Sequence, residues 1–210
     1  MVPAGPSDVA IVDYGLGNIQ AFAHIYDRLN IKASVATTAD EVMVARRLIL
    51  PGVGAFDWAM ERLDRSGMRE ALDQVVLQEK RPVLGVCVGM QMMAHVSEEG
   101  NLSGLGWIDA TVRRFDEAVL VGRPTPHMGW NDVDPGTDAS LFCGIERPRY
   151  YFLHSYFFAP ANPADTLATA RYGDVFTAAV RRDNVYGTQF HPEKSHGWGV
   201  KLLRNFANIT

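Results

Sequence analysis

Cys87 lies in Gly85-Val86-Cys87-Val88-Gly89, the pattern glycine, any residue, nucleophile, any residue, glycine. An apolar run, Pro82 to Val86, precedes it, and helical spacing follows. A strand, a sharp turn and a helix are what a nucleophile elbow needs, because the turn lifts the side chain clear of the sheet. A thiol at a helix N-terminus also meets unpaired N–H groups that favour its thiolate. The backbone N–H of Val88 then faces a developing oxyanion. A thiol nucleophile needs a base, and the base needs a group that fixes its tautomer. His191-Pro192-Glu193 ends the apolar run Val185 to Phe190 and offers both. Residues two apart at a strand end share a direction, and Pro192 stiffens the turn between them.

The other histidines are weaker bases. His24 and His95 fall on expected helices, and His196 lies near the start of the last one as an exposed residue. His127 and His154 sit in unusual local sequence and could line a site. Free cysteines are often small buried hydrophobes, and the flanking glycines are what lift Cys87 out of that class. A zinc-deaminase reading of His191-Pro192-Glu193 fails for want of a P-C-x-x-C segment. Two cysteines, Cys87 and Cys143, are too few for a structural zinc, so no metal role is expected. Gly15-Leu16-Gly17 hints at a dinucleotide loop, but Gln20 stands where the third glycine belongs.

The elements that must position these groups follow from periodicity. Val9 to Val12, Ala33 to Ala36 and Leu48 to Leu50 read as buried strands. Asn18 is an expected N-cap for a helix carrying Ile19, Phe22, Ala23, Tyr26 and Leu29. Thr38-Ala39-Asp40-Glu41 has the form of a capping box. Met60, Leu63, Met68, Leu72, Val75 and Val76 continue in helical spacing. In the second half Trp107 to Phe115, Tyr150 to Phe158, Leu167 to Arg171, Phe176 to Arg181 and Val185 to Gln189 read as strands with few helices between them. A final helix is expected from about Gly197 to Asn208. The fold expected is α/β: a three-layer α/β/α arrangement around a central, mostly parallel sheet, with antiparallel strands in the second half. A chain of 210 residues without an internal linker suits one domain over residues 1–210.

Composition narrows the function classes. Apolar residues make up 47% and charged residues 21%, and the net charge is −4, which gives no reason to expect nucleic acid as partner. No stretch is apolar for long enough to span a membrane. Met1 to Ser7 lacks the charge and apolar run of a secretory signal, and the cysteines form no CxxC pair, so a reducing cytoplasm is expected.

The motifs together resemble the class I, triad-type glutamine amidotransferases, and more closely the glutaminase subunits of imidazole glycerol phosphate synthases. The resemblance runs almost end to end, through Asp13-Tyr14-Gly15-Leu16-Gly17-Asn18, Pro51-Gly52-Val53-Gly54, the cysteine motif with Met90-Gln91, Pro126-His127-Met128-Gly129-Trp130-Asn131, Phe152-Leu153-His154-Ser155-Tyr156 and His191-Pro192-Glu193-Lys194-Ser195. It implies hydrolysis of glutamine to glutamate and ammonia by Cys87, His191 and Glu193, without a cofactor. It implies an oxyanion held by the N–H of Val88 and one from Gly52 or Val53. Gln91, His154, Ser155 and Tyr156 match glutamine-binding positions. Asn18, Trp130 and Lys194 match positions near a (β/α)8-barrel cyclase subunit that receives the ammonia in a heterodimer. Ammonia is mostly protonated near pH 7 and then no nucleophile, which is a reason to couple its release to a partner.

Val86 and Val88 stand where Ile and Leu are more usual, and Gln20 and Trp107 are also departures. Histidine biosynthesis is the expected pathway. The alternatives are a paralogue supplying ammonia for amidine formation in surface-polysaccharide sugar synthesis, and a non-catalytic regulatory subunit. A small cysteine peptidase on a related fold is disfavoured by Gln91 and by the late His-x-Glu.

Overall fold

A computed structural model describes residues 8–120, 122–137 and 140–209. The reading of Met1 to Ser7 lies outside these residues. Strand β1 (Val9–Val12) leads into α1 (Ile19–Arg28), followed by β2 (Ala33–Ala36), α2 (Ala39–Met43), β3 (Leu48–Gly52), α3 (Phe56–Ser66) and α4 (Arg69–Asp73). A π-helical turn, Gln74–Gln78, extends α4 before β4 (Val83–Cys87) and the single turn α5 (Val88–Gln91). Then come β5 (Val96–Ser97), β6 (Ala110–Arg114), α6 (Glu117–Leu120), β7 (His127–Asp132), β8 (Asp134–Pro135), β9 (Arg149–His154) and β10 (Tyr156–Pro160). The chain closes with β11 (Thr166–Tyr172), β12 (Asp174–Arg182), β13 (Val185–Thr188) and α7 (His196–Ala207).

An eight-stranded sheet runs β2-β1-β3-β4-β13-β12-β11-β8. The five strands from β2 to β13 are parallel, and β12, β11 and β8 add antiparallel pairs. From β1 the chain crosses one way to β2, then back the other way to β3 and β4. Right-handed crossovers therefore put α1 on one face and α2, α3 and α4 on the other. The packing agrees, since α1 meets α7 while α2 and α3 meet α4. Every residue of β1, β3, β4 and β13 is buried, which explains why these strands read as unbroken apolar runs rather than alternating ones.

Several expectations shift in detail. Thr38 forms the capping box, accepting from the Glu41 N–H. Asn18 takes the N-cap position of α1, but its side chain makes no capping bond. Gly67, at φ +71°, separates α3 from α4 in the left-handed C-cap conformation that glycine suits best. The helix after Cys87 stops at Gln91, so His95 lies in the turn before β5 rather than on a helix. The run Tyr150 to Phe158 breaks at Ser155, where the chain leaves the small β7–β9 sheet and joins the β10-β6-β5 sheet. Among the described residues no helix is long and apolar enough to cross a membrane.

Candidate active site

Cys87 ends β4 at φ +56° and ψ −113°, the sharp, strained turn of an elbow. Both flanking glycines are forced by close approach. A Cβ on Gly85 would sit 2.7 Å from the Gly89 carbonyl oxygen, and one on Gly89 would overlap the carbonyl of Leu50. Any side chain at either position pushes β4, α5 and β3 apart. Cys87 itself is 4% exposed.

His191 arrives from β13 and is pinned at its backbone. Its N–H donates to the Tyr151 carbonyl at 2.9 Å, and its carbonyl accepts from Ser195 Oγ at 2.6 Å. The 3₁₀ turn Pro192–Lys194 brings Glu193 back beneath the ring, with His191 Nδ1 to Glu193 Oε1 at 2.9 Å. Both side chains are buried, and Glu193 Oε2 has no hydrogen-bond partner. Because Nδ1 is taken, Nε2 is the nitrogen left to exchange a proton with Cys87. Burial alone would lower the basicity of His191. The hydrogen bonds to Cys87 and Glu193 and the charges of both outweigh it and raise the pKa to about 10.

A cavity of about 310 Å³ opens over Cys87 and His191, bounded by Val53, Val88, Gln91, Glu99 and the Leu153–Tyr156 corner. Gln91 is 2% exposed, not a surface amide. Its Nε2 donates to the Tyr156 carbonyl and to Gln189 Oε1, both at 3.1 Å, leaving its own carbonyl oxygen for a ligand. Gln189, which no motif singled out, is fully buried with Nε2 3.9 Å from Cys87 Sγ. Glu99 is a second addition: its carboxylate lines the cavity and accepts from the Phe56 N–H at 2.8 Å. Nothing in the sequence around Glu99 marks it, because α3 and the turn after β5 meet only in three dimensions.

His154 lines the cavity, yet both its ring nitrogens are occupied. Nδ1 lies 2.7 Å from the Tyr156 carbonyl, and Nε2 lies 3.0 Å from His127 Nδ1. The carbonyl can only accept, so the neutral tautomers follow. His154 Nδ1–H donates to Tyr156, His127 Nδ1–H donates to His154 Nε2, and Asn131 Nδ2, at 3.3 Å, donates to His127 Nε2. Burial, reinforced by neighbouring positive charge, lowers His127 to about 4 and His154 to about 3. The unfolded chain therefore binds protons below about pH 6.5 that the folded chain refuses. Stability should fall as pH drops from about 6.5 toward 4, by up to about 1.4 kcal/mol per pH unit for each histidine. Thermal melts between pH 7 and 4.5 check this, because a His127→Phe/His154→Phe double variant should show a shallower decline.

Of the other expected residues, Gly52 is buried, and a Cβ there would collide with the backbone of Val88 and Gly89. Val53, Trp130, Leu153 and Met128 are exposed apolar side chains. Trp130 lies outside the cavity, stacked on His196 with centroids 5.3 Å apart. Lys194 lies at the cavity mouth over the Tyr151 ring, while Asn18 is exposed and away from the lining. His24 and His95 are exposed. Among the described residues no group of three or more His, Cys, Asp or Glu side chains is placed to hold a metal.

A cysteine elbow at the carboxyl ends of a parallel sheet, with its base and carboxylate just past the end of the neighbouring strand, is the arrangement of a cysteine-dependent amidotransferase. The class-I glutamine amidotransferase model matches residues 10–209, and the chain belongs to that family. Within it the chain falls among the HisH subunits of imidazole glycerol phosphate synthase. It is 58% identical to that of Bdellovibrio bacteriovorus over 203 residues, covering 96% of this chain and 100% of that one. It is 48% identical to that of Leptospira interrogans over 206 residues, with coverage of 96% and 100%. A crystal structure of a glutamine amidotransferase superposes with a TM-score of 0.72 at 20% identity, covering 96% of this chain and 99% of the other, which is a likeness of fold.

Proposed function

We propose that this chain is the glutaminase subunit of an imidazole glycerol phosphate synthase, hydrolysing glutamine and passing the ammonia to a (β/α)8-barrel cyclase subunit in cytoplasmic histidine biosynthesis. The observation that carries the chemistry is the buried Cys87, His191 and Glu193 arrangement, with His191 locked at 2.9 Å to its carboxylate. Full-length relatives named for that synthase support the pathway.

In this reading His191 Nε2 holds the proton that the Cys87 thiol gives up, and the sulfur attacks the side-chain carboxamide carbon of glutamine. The tetrahedral oxyanion is held by the Val88 N–H and one from Gly52 or Val53. His191 returns the proton to the leaving nitrogen, the C–N bond breaks, and ammonia departs from a thioester on Cys87. A water then gives His191 a proton as it attacks the thioester. The C–S bond breaks, the proton returns to sulfur, and glutamate leaves. The Gln91 carbonyl oxygen and the backbone around Ser155 bind the substrate, and Glu99 suits its α-ammonium group.

The exposed apolar rim of Val53, Met128, Trp130 and Leu153 suits a partner that covers the cavity mouth, with Lys194 and Asn18 as polar contacts of that surface. A cover keeps ammonia unprotonated and out of bulk water. Glutamate release should therefore be slow for the chain alone and rise at least about tenfold when its organism's cyclase subunit is added, a modest coupling free energy. Fast turnover without any partner would remove the coupling, and failure with every cyclase offered would remove the assignment.

A further inference from the structure

The segment Asp13-Tyr14-Gly15-Leu16-Gly17-Asn18 supplies no triad residue, yet it lies directly against the end of β3, just before the loop that follows it. Tyr14 is 3% exposed, and its hydroxyl donates to the Pro51 carbonyl at 2.7 Å. Gly17, at φ +102°, packs so closely that a Cβ there would come within 2.7 Å of Pro51 Cβ. Asp13 Oδ1 accepts from the Gly15 N–H at 3.0 Å and closes the turn between them.

Sheet register explains why Pro51 needs this contact. The ladder of β3 with β1 ends at Ile49, whereas its ladder with β4 continues to Gly52 opposite Cys87. Beyond Ile49, β3 has lost its neighbour on the β1 side, and the Tyr14 hydroxyl bonds the strand there instead. A peptide group is planar, so fixing the Pro51 carbonyl also fixes the Gly52 N–H. The next rotatable dihedrals are those of Gly52, one peptide before the Val53 N–H.

We propose that Tyr14 is a positioning residue for the oxyanion loop: its hydroxyl anchors the Pro51–Gly52 peptide so that the Gly52 and Val53 N–H groups stay beside Cys87. This rests on the glutaminase reading. Tyr14→Phe keeps the ring and removes the anchor. In the complex with the cyclase subunit, kcat should fall about tenfold, less than the 10²–10³-fold typical of losing a donor outright. KM for glutamine should stay within about twofold, because the loop is needed in the transition state and not for substrate binding. Rates are normalised to the folded fraction from melting curves. Hydrogen exchange of the Gly52 and Val53 amides should quicken in the variant while the amides of β12 keep their rates, which a purely packing role for the ring would not cause. Unchanged kcat, a loss confined to KM, or unchanged exchange at Gly52 and Val53 overturns the proposal. If the wild-type complex itself releases no glutamate, the glutaminase reading fails, and this proposal with it.

Discussion

Replacing Cys87 by alanine in the complex with the cyclase subunit is expected to lower glutamate release by about 10⁴-fold or more. The scale follows from nucleophile removal in other triad hydrolases, where only binding and oxyanion stabilisation remain. No neighbour can substitute. Cys143 is exposed and lines no part of the cavity, and the Gln189 amide, 3.9 Å from the Cys87 sulfur, is no nucleophile. The loss should be chemical rather than structural. Alanine fills most of the same small buried space, and the positive φ of Cys87 is strained for either residue. A melting temperature close to wild type, measured beside the rate, separates the two. If the variant keeps more than about one hundredth of the wild-type rate, Cys87 is not the nucleophile.

Glu193→Gln should have the second largest effect. The amide is nearly isosteric but carries no charge, and it can present an N–H where Nδ1 needs an acceptor. Loss of the orienting carboxylate in a comparable triad costs about 10⁴-fold in kcat. A pH profile identifies the cause. Glu193 is one of the groups that raise His191 to about 10, while burial pushes the other way. Without the carboxylate, His191 loses its proton at lower pH, so the alkaline limb of the rate should move down from about 10. Stability should follow the same linkage. In wild type the raised His191 pKa contributes fully below about pH 6.5 and is lost as pH rises through about 10. Glu193→Gln should therefore flatten stability against pH across that window. An alkaline limb that stays put would mean that Glu193 does not set the protonation of His191.

The cluster of Cys87, His191 and Glu193 was legible in sequence because each part sits in a short local pattern. The glycines around Cys87 are dictated by contacts with Leu50 and Gly89, and the His-Pro-Glu turn by a proline. The parallel half of the sheet was legible for a related reason, since its strands are buried on both faces and read as apolar runs. The second half was less so. Tyr150 to Phe158 carries no glycine or proline to announce the break at Ser155, and the corner is held by the side chain of His154 bonded to the Tyr156 carbonyl. Strand β7 contains Gly129 and no β-branched residue, and it becomes a strand by pairing with β9 from His127↔His154 to Asp132↔Arg149. Glu99 reaches the cavity, and Gln189 the Cys87 sulfur beneath it, only through long-range packing, so their neighbours in sequence say nothing of them. Of the five histidines ranked as weaker bases, His127 and His154 prove to be a buried neutral pair. One of them, His154, does line the site, but through a ring whose two nitrogens are already bonded.

The most direct test of the central claim is covalent labelling with a glutamine-shaped electrophile, read by peptide mass spectrometry alongside residual activity. Cys143 serves as the exposed control within the same chain. The account predicts modification of Cys87 in proportion to the loss of glutaminase activity, protection by added glutamine, and little reaction at Cys143. Activity lost while Cys87 stays unmodified, or Cys87 fully modified with activity intact, would contradict it.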